Sequence, residues 1–326
     1  MTLASRNHRR FAITTGDLDG IGLEVTYKAL LKIRIPKRTQ MFVFEASVAP
    51  KFLRPLRRQL IKKFRATTLT LGSTSDFKIP DSKAALVFVE CSSTPPEWVV
   101  LAAKLCLDRK FAGMITGPLS KTLIVEQGMT SIGHTEILRR VARSGPLNMG
   151  FLGRHFHVVL ATGHVALHKL SRALTAKALQ TALQHANKLR ALLPPVQRQR
   201  PLALVGLNPH AGENGLIGDD EQRLYRPVLA WAKRKKIRVI GPLVPDAAFL
   251  KQNWSKYSIF VCPYHDQGLI PFKMVHGADF GAHMTLGLPF VRTSVDHGTA
   301  KDLFSLNRAN PNSMIEALNW ALRVAK

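Results

Sequence analysis

The chain has 326 residues, 46% of them hydrophobic, which is enough apolar material for a large core in one big domain or two lobes. Its 47 Lys and Arg against 21 Asp and Glu give a formal net charge of +26, which favours anionic substrates and nucleotides. No apolar run approaches the ~18 residues that a membrane-spanning helix needs, and the basic first residues lack the apolar stretch of a signal peptide.

Cysteine usage and charge placement bear on compartment and partners. Cys91, Cys106 and Cys262 are an odd number without CxxC spacing, so we expect reduced thiols in a cytoplasmic protein. Basic residues concentrate in helix-like segments such as Lys51–Arg65 and Trp231–Arg238. Since no nucleic-acid-binding motif and no aromatic-interleaved basic stripe accompanies them, we expect a solvated basic surface and neither nucleic acid nor membrane as a partner.

Short apolar runs alternate with helical patterns along most of the chain, and this alternation predicts an α/β protein with largely parallel sheets. The predicted strands, in chain order, are residues 11–16, 41–46, 85–90, 111–117, 157–163, 202–208, 237–242, 258–262 and 288–294. Helical periodicity is clearest at residues 20–33, 95–110, 170–193 and 313–326. No internal repeat interrupts this order.

Three histidines, His164, His210 and His265, each lie just past one of these apolar runs. Ligands gather beyond the carboxyl ends of the strands in open α/β sheets, so these side chains are candidates for one shared site. Three protein ligands that leave a position open for water or substrate are typical of catalytic zinc, and imidazole is a common ligand. For any one of them alone, a hydrogen-bonded structural role is the alternative.

Other predicted strand ends also carry polar residues. The backbone amides of Gly133–Glu136 and the hydroxyl of Thr135, at the start of a predicted helix, suit an anion, and an ordinary capping arrangement is the alternative. The polar loop Arg292–Asp302 follows the last predicted strand and is a candidate wall of the site. The Gly-rich turn after the first predicted strand contains no G-x-G-x-x-G, so the dinucleotide-binding fingerprint is absent.

Six segments occur here in the order and spacing of one known family. They read "ITTGDLDGIGLE", "ITGPLSK", "GHTE", "LNPHAGENG", "YHDQGLIPFK" and "TLGLPFVRTSVDHGTA". On these segments the chain resembles the 4-hydroxythreonine-4-phosphate dehydrogenases, or PdxA family, the NAD-dependent enzymes of pyridoxal phosphate biosynthesis. The resemblance extends from Ala12 to the C-terminus.

This resemblance implies a two-lobed α/β/α fold with mostly parallel sheets, similar to isocitrate and isopropylmalate dehydrogenases. We expect residues 1–130 with 280–326 to form a first lobe that includes the cofactor loop. Residues 131–279 would form a second lobe with the metal ligands and dimer contacts. The active site would lie in the cleft between the lobes and be shared across the interface of a homodimer.

The resemblance also implies a metal site. A divalent metal, zinc first and magnesium or cobalt as alternatives, would be held by the residues that match His164, His210 and His265. The first two would come from one subunit and the third from the other. Asp246 and Asp266 are candidates for proton transfer or for orienting the metal ligands, with a helix cap or a loop salt bridge as the alternative.

Substrate and cofactor sites are implied in the same way. The phosphorylated substrate would be bound by the residues that match His134, Thr135, Lys273 and Arg292. Lys273 is also a candidate for proton transfer. The family's NAD loop matches Asp296, His297, Gly298, Thr299 and Ala300. The implied reaction is metal-assisted oxidation and decarboxylation of 4-phosphohydroxy-L-threonine, with hydride transfer to NAD.

Three departures from the family pattern leave alternatives open. His283 stands where the family usually has Asn in the substrate region, which keeps 4-phospho-D-threonate and 4-phospho-D-erythronate open as substrates. Lys301–Asn310 replaces a Gly-rich segment, so NADP remains an alternative to NAD, and Arg308 is either a ligand for its 2′-phosphate or a surface residue. Leu18 and Asp19 replace a usual Pro-x pair. A third alternative is a weakly active paralogue that binds nucleotides or nucleic acid through its charge.

Overall fold

The computed structural model describes residues 8–126, 133–277 and 280–325. The chain divides into two compact units, which are Met1–Gly145 with Leu288–Lys326, and Pro146–Gly287. These boundaries fall later in the chain than the expected ones, so His134 belongs to the first unit and His283 to the second. The helix that begins at His134 packs against another helix of the first unit, and the strand that contains His283 pairs within the second.

The strands, in chain order, are β1 (Arg9–Thr14), β2 (Thr39–Glu45), β3 (Thr67–Leu71), β4 (Leu86–Cys91), β5 (Gly113–Thr116), β6 (Asn148–Leu152), β7 (His157–Leu160), β8 (Leu202–Val205), β9 (Val239–Leu243), β10 (Phe260–Cys262), β11 (Ala282–Leu286) and β12 (Val291–Val295).

The α-helices are α1 (Gly22–Lys32), α2 (Arg54–Phe64), α3 (Pro95–Leu107), α4 (Lys121–Glu126), α5 (His134–Val141), α6 (Leu170–Ala173), α7 (Ala176–Arg190), α8 (Pro195–Arg198), α9 (Arg226–Arg234), α10 (Pro245–Ala248), α11 (His265–His276) and α12 (Asn312–Val324). Short 3₁₀ turns join several of them. No helix in the described ranges is long and apolar enough to cross a membrane.

In the first unit every strand pair is parallel, and the order of neighbours is β3-β4-β2-β1-β5-β12. From β1 the chain moves to one side through β2 and later returns to β5 on the other side. The order therefore reverses at β1, and ligand-binding crevices form at such switch points. The loops that follow β1, β5 and β12 consequently lie beside one another at the carboxyl edge of the sheet.

In the second unit the order is β11-β6-β7-β10-β8-β9. The pairs β11–β6 and β6–β7 are antiparallel, and β7, β10, β8 and β9 are parallel. The central strand β10 thus lies between β7 and β8, and all three end at the same edge. The predicted α/β class with mostly parallel sheets is confirmed.

Each of the nine predicted strands is present, and β3, β6 and β11 were missed. The missed strands lack a continuous apolar run. The sequence of β3 is TTLTL and it lies at an edge with most of its residues exposed, whereas β6 contains Asn148 and Gly150, and β11 carries His283 in its interior. Pairing with neighbours, rather than local β-propensity, forms β6 and β11, whereas the Thr-rich β3 has the propensity of a strand but no continuous apolar run.

The helical pattern at residues 170–193 is split in the structure. Between α6 and α7 the chain is extended at Thr175, whose hydroxyl accepts a hydrogen bond from the backbone N–H of Ala178 at 3.1 Å. Thr175 is therefore an N-cap that starts a new helix inside an apolar periodicity. The helix α11 was not predicted because Pro271 lies within it.

A buried polar group connects β2, β4, α1 and α2 in the first unit. The Tyr27 hydroxyl donates a short hydrogen bond to Glu45. The Arg57 guanidinium donates to Glu45 at 3.1 Å and to Glu90 at 2.6 Å, and these carboxyls lie opposite each other on neighbouring strands. Burial raises the pKa of Glu45 to about 7, although Tyr27 and Arg57 lower it in part. Burial likewise raises the pKa of Tyr27.

The raised pKa of Glu45 makes the stability of the first unit depend on pH. Between the ordinary carboxyl pKa of 4.5 and about 7, the folded protein holds a proton that the unfolded chain releases, so stability falls as pH rises through this window. We expect the free energy of unfolding of the wild type, relative to Glu45→Gln, to fall by up to ~1.4 kcal/mol per pH unit. Urea unfolding of both proteins from pH 5 to pH 8 measures this. A constant difference across the series would contradict the assignment.

Candidate functional site

The three histidines predicted to bind metal follow three neighbouring parallel strands of the second unit. His164 follows β7, His265 follows β10 and His210 follows β8. Because β10 pairs with both other strands, the loops that carry these side chains start side by side at one edge of the sheet. The expectation that the histidines share an edge of the sheet agrees with this topology.

His164 and His265 come together within one chain. Their ring centres are 5.1 Å apart. Two imidazoles that share one tetrahedral zinc, at the usual ~2.0–2.1 Å, have ring centres roughly 5 Å apart, so this pair fits a common metal ion. A cavity of about 270 Å³ opens here, and its lining includes both histidines with Tyr264 and Asp266.

Asp266 lies beside the ring of its neighbour. Its Oδ1 is 2.7 Å from Nδ1 of His265, so Nδ1–H donates to the carboxylate and Nε2 is left as the ligand atom. Of the two roles considered for Asp266, this contact fits the orientation of a ligand. Burial raises the pKa of Tyr264, and Asp266 and Cys262 raise it further, so the phenol is neutral at the mouth of the cavity.

Hydrogen bonds that sequence analysis missed tie the three loops together. The hydroxyl of Thr162 donates to the carbonyl of Pro263 at 2.7 Å, which joins the ends of β7 and β10. The side-chain amide of Gln267 donates to the carbonyl of Gly206 at 2.7 Å, which joins α11 to the end of β8. Gln267 was visible in "YHDQG", but its partner lies 61 residues away in the chain, which local patterns do not show.

The loop that carries His210 has an unusual backbone. Five consecutive residues, His210–Asn214, have positive φ angles between 44° and 80°. Left-handed backbone costs ~1–2 kcal/mol for each residue with a Cβ, so this loop requires support from its surroundings. A Cβ on Gly212 would lie 2.7 Å from the carbonyl of Gly218 and 2.8 Å from Glu221, so this position requires glycine.

Glu221 supplies that support. It is 6% exposed, and its Oε1 accepts the backbone N–H groups of Leu207 and Asn208, both at 2.8 Å. Its Oε2 accepts the side-chain amide of Asn208 at 2.9 Å. One buried carboxylate therefore fixes the two residues through which β8 passes into the His210 loop. Nothing in the local sequence distinguished Glu221 from a surface acid.

His210 itself is exposed, and within the described ranges no group of three or more His, Cys, Asp or Glu side chains could hold a metal ion. The resemblance implied that His164 and His210 come from one subunit and His265 from the other. Within one chain His265 lies beside His164, and the division of the three histidines between subunits stays a prediction. A three-histidine site remains a prediction, with His210 as the ligand that this chain does not bring to the pair.

The other candidates of the second unit lie on exposed helical positions or in the core. Lys273 is exposed on α11, which begins at His265. Asp246 is exposed on α10, which packs against the His210 loop. His283 is 6% exposed, and its ring centre is 5.3 Å from that of Phe151, its partner across the β11–β6 pair.

In the first unit a buried arginine, Arg292, acts on the imidazole of His134, which is half-buried. Arg292 is 3% exposed and donates to the hydroxyl of Thr116 at 2.6 Å. Burial lowers the pKa of Arg292 to about 9, so it is protonated at neutral pH. Burial and the charge of Arg292 hold the pKa of His134 well below its usual value, so the imidazole is neutral. Its Nε2 is buried and makes no hydrogen bond to the residues that the structure describes.

A guanidinium beside an unsatisfied imidazole nitrogen suits an anion such as a phosphate, because its oxygens accept from both. Thr135 follows on the first turn of α5 and is exposed. The family resemblance implied that both His134 and Arg292 bind the substrate phosphate, and the charge of Arg292 acts on the His134 ring in the structure. Sequence analysis had not singled out Thr116, which holds the guanidinium.

The candidate cofactor loop Asp296–Ala300 follows β12. The backbone N–H of Asp296 donates to the hydroxyl of Ser313 at 2.9 Å, and the N–H of Ile21 donates to the carbonyl of Thr299 at 3.0 Å. The ring of His297 lies 2.9 Å from the carbonyl of Gly298, and Ala300 is left-handed. Gly298 is exposed with open space around it, so the loop backbone is accessible to a dinucleotide.

Two of the departures from the family pattern contact each other. The ammonium of Lys301 is 2.7 Å from Asp19 and 3.6 Å from the buried carboxylate of Asp17. Further along, the ring of Phe304 meets that of Phe52 edge to face at 5.8 Å. The segment Lys301–Asn310 is therefore anchored to its own unit by an ion pair and an aromatic contact.

Comparisons with known proteins agree with this description. Residues 54–321 match the model of the family described as pyridoxal phosphate biosynthetic protein PdxA. The 4-hydroxythreonine-4-phosphate dehydrogenase of Geobacter metallireducens is 34% identical over 327 residues, which cover 97% of this chain and 96% of that protein.

Another relative carries a different name. The D-threonate 4-phosphate dehydrogenase of Salmonella typhimurium is 32% identical over 328 residues, covering 96% of this chain and 98% of that protein. Among solved structures, that of 4-hydroxythreonine-4-phosphate dehydrogenase from Klebsiella pneumoniae superposes with a TM-score of 0.76 at 29% identity, covering 98% of this chain and 100% of the other.

The support of the His210 loop by Glu221 can be tested by stability. Glu221→Ala leaves the backbone N–H groups of Leu207 and Asn208 without their acceptor, and the Asn208 side-chain amide keeps only Asp220. We expect a loss of ~2–4 kcal/mol in the free energy of unfolding. Glu213→Ala, an exposed acid in the same loop, is the matched control and should change stability by less than ~0.5 kcal/mol. Urea unfolding followed by circular dichroism gives both values. Equal losses in the two variants would refute the role of Glu221.

Proposed function

The chain is a dehydrogenase of the PdxA family of pyridoxal phosphate biosynthetic proteins, and from that premise we propose its substrate and reaction. The proposed reaction is oxidation and decarboxylation of 4-phosphohydroxy-L-threonine to 3-amino-2-oxopropyl phosphate, with NAD as oxidant and a divalent metal. The observation that carries this proposal is the His164–His265 pair with Asp266 behind it. Two neighbouring histidines, one of which donates its second ring N–H to a carboxylate, are typical of a metal site.

When bound, the metal (zinc first, magnesium or cobalt as alternatives) would supply a Lewis acid for the substrate hydroxyl, and NAD, or NADP in its place, would accept the hydride. His164 and His265 would hold the metal, and Asp266 fixes the tautomer that presents Nε2 of His265. Tyr264, neutral at the mouth of the cavity, is placed to donate a hydrogen bond to substrate. Lys273 and Asp246 are the candidates for moving a proton.

The phosphate of the substrate is assigned to the first unit. Arg292 supplies a positive charge that Thr116 holds in place, and neutral His134 supplies a hydrogen bond without further charge. Thr135 on the first turn of α5 would add its hydroxyl. Because the phosphate is remote from the reacting carbon, these residues bind and orient the substrate rather than take part in bond changes.

The cofactor is assigned to the loop Asp296–Ala300. Its backbone is held from both sides by Ser313 and Ile21, which suits a loop that must present accessible backbone groups to a dinucleotide. The Lys301–Asp19 ion pair borders this loop. NADP remains the alternative cofactor.

A second substrate is favoured by a specific observation. His283 replaces the usual Asn and is buried against Phe151, and several relatives are named D-threonate 4-phosphate dehydrogenase. The second candidate is therefore oxidation of 4-phospho-D-threonate or 4-phospho-D-erythronate, which carry a hydroxyl where the first substrate has an amine. Metal and phosphate chemistry would be the same.

We further propose a homodimer in which a second copy supplies His210 to the His164–His265 pair. Each histidine-bearing segment of the second unit also exposes a large apolar side chain. Leu167 lies near His164 in the chain, Leu216 follows the His210 loop, and Met274 lies on α11. Exposed apolar side chains on all three segments are typical of a surface that another subunit covers.

Subunit complementation tests this division of ligands. In mixed dimers of His210→Ala with His265→Ala, one of the two sites keeps all three histidines, so co-expression should restore about a quarter of the wild-type activity. In mixed dimers of His164→Ala with His265→Ala, both sites lack a ligand, and no activity should return. Recovery in the second mixture would show that His164 and His265 serve different sites. Failure of both would place all three ligands in one chain.

Substrate choice is tested by NADH formation with a divalent metal and each of the three phosphorylated acids. We expect turnover of 4-phosphohydroxy-L-threonine, and its loss in His210→Ala without loss of folding. His283→Asn should change the ratio of kcat/KM between the amino and hydroxy substrates about tenfold, the effect of ~1.4 kcal/mol. Turnover of the hydroxy acids alone by the wild type would replace the first candidate with the second.

A further inference from the structure

The first unit contains a pocket of about 590 Å³ that none of the residues assigned above lines. Its lining includes Ser47 after β2, Glu90 at the end of β4, and Arg54, Arg57 and Arg58 of α2. The pocket therefore lies beyond the carboxyl ends of two neighbouring parallel strands, which is the side where sheets of this kind bind ligands. Its volume is within the ~300–1,000 Å³ of small-molecule sites.

The charge of Arg57 is paired with acidic side chains of the same unit. It pairs with Glu45 and Glu90, and its guanidinium lies 4.4 Å from the ring centre of Phe88. Hydrogen bonds to Glu45 and Glu90 and the aromatic face of Phe88 fix its position. Arg57 is therefore a rigid wall of the pocket, and its role in packing accounts for its presence.

The charges of Arg54 and Arg58 are not paired with acidic side chains in this way. Both are exposed, and neither makes an ion pair or a side-chain hydrogen bond with any residue that the structure describes. They lie one helical turn apart on α2, so like charges face each other at the ~5–6 Å between Cβ atoms of such neighbours. The first turn of α2 contains no acidic residue, although the positive end of a helix favours acids and disfavours cations.

These two charges therefore add no stability to the fold, and their position in the lining of the pocket suits them to binding a ligand. Two guanidinium groups one turn apart match the oxygens of a phosphate, which accept paired N–H donors from arginine. The cavity exceeds the size of one phosphate group, and Val48 and Ile61 give it an exposed apolar side. We propose that Arg54 and Arg58 form a binding site for a small organic phosphate, separate from the substrate site.

Calorimetric titration of the full-length protein at 0.15 M salt, with inorganic phosphate, pyrophosphate and ribose 5-phosphate as probes, tests this site. We expect saturable binding that Arg54→Ala/Arg58→Ala weakens by about tenfold or more, since both charge-assisted contacts are lost. The matched control is Lys62→Ala/Lys104→Ala, which removes two exposed charges outside the pocket. It should keep the affinity within about twofold.

A thermal unfolding curve shows whether the arginine double variant loses binding because it is less stable. The arginine double variant should unfold at a temperature no lower than the wild type, because it removes repulsion within α2. Equal weakening in both double variants would mean that net charge alone attracts the probes, and that result overturns the proposal, as does the absence of saturable binding. Binding of single-stranded RNA without binding of the small phosphates would assign the arginines to nucleic acid and overturn it as well.

Discussion

The pairing of β10 with β7 on one side and β8 on the other determines where the chemistry of the second unit is placed. The register sets Cys262 opposite Leu160, so the chains leave the sheet together, and Thr162 then reaches the carbonyl of Pro263. This brings the rings of His164 and His265 to 5.1 Å. A shift of one residue in this register would turn each side chain to the opposite face and separate the pair.

The strands determine where the histidine-bearing loops leave the sheet, and polar side chains from other segments fix the conformation of those loops. The His210 loop has left-handed backbone that no local preference would select, and the buried carboxylate of Glu221 holds its entrance. Gln267 does the same between α11 and Gly206. Such contacts cost desolvation and are worth making only where a fixed geometry is required, which is the condition of a site that orients ligands.

The sequence was sufficient for the parts of the site that depend on strand order. His164, His210 and His265 each follow an apolar run, and parallel strands bring such residues to one edge whatever the length of the intervening chain. It was insufficient for Glu221 and Thr116. Glu221 binds Leu207 and Asn208 across a loop of irregular backbone, and Thr116 binds Arg292, 176 residues away. Sequence analysis also missed β11, whose buried His283 packs against Phe151 across the sheet. These strands and contacts depend on pairing between distant segments, which local sequence patterns do not predict.

The net charge of +26 includes arginines in different environments, and buried and exposed ones meet different requirements. Buried arginines must be compensated, since removing a guanidinium from water is costly. Arg57 meets this requirement through Glu45 and Glu90, and Arg292 donates to the hydroxyl of Thr116. The cost of burying Arg292 is seen in its pKa, which burial lowers to about 9. Arg54 and Arg58 face no such requirement, and they repel each other on a helix without acids in its first turn. A folded chain gains no stability from cations placed in this way, so their concentration around one pocket is better explained by an anionic ligand than by packing.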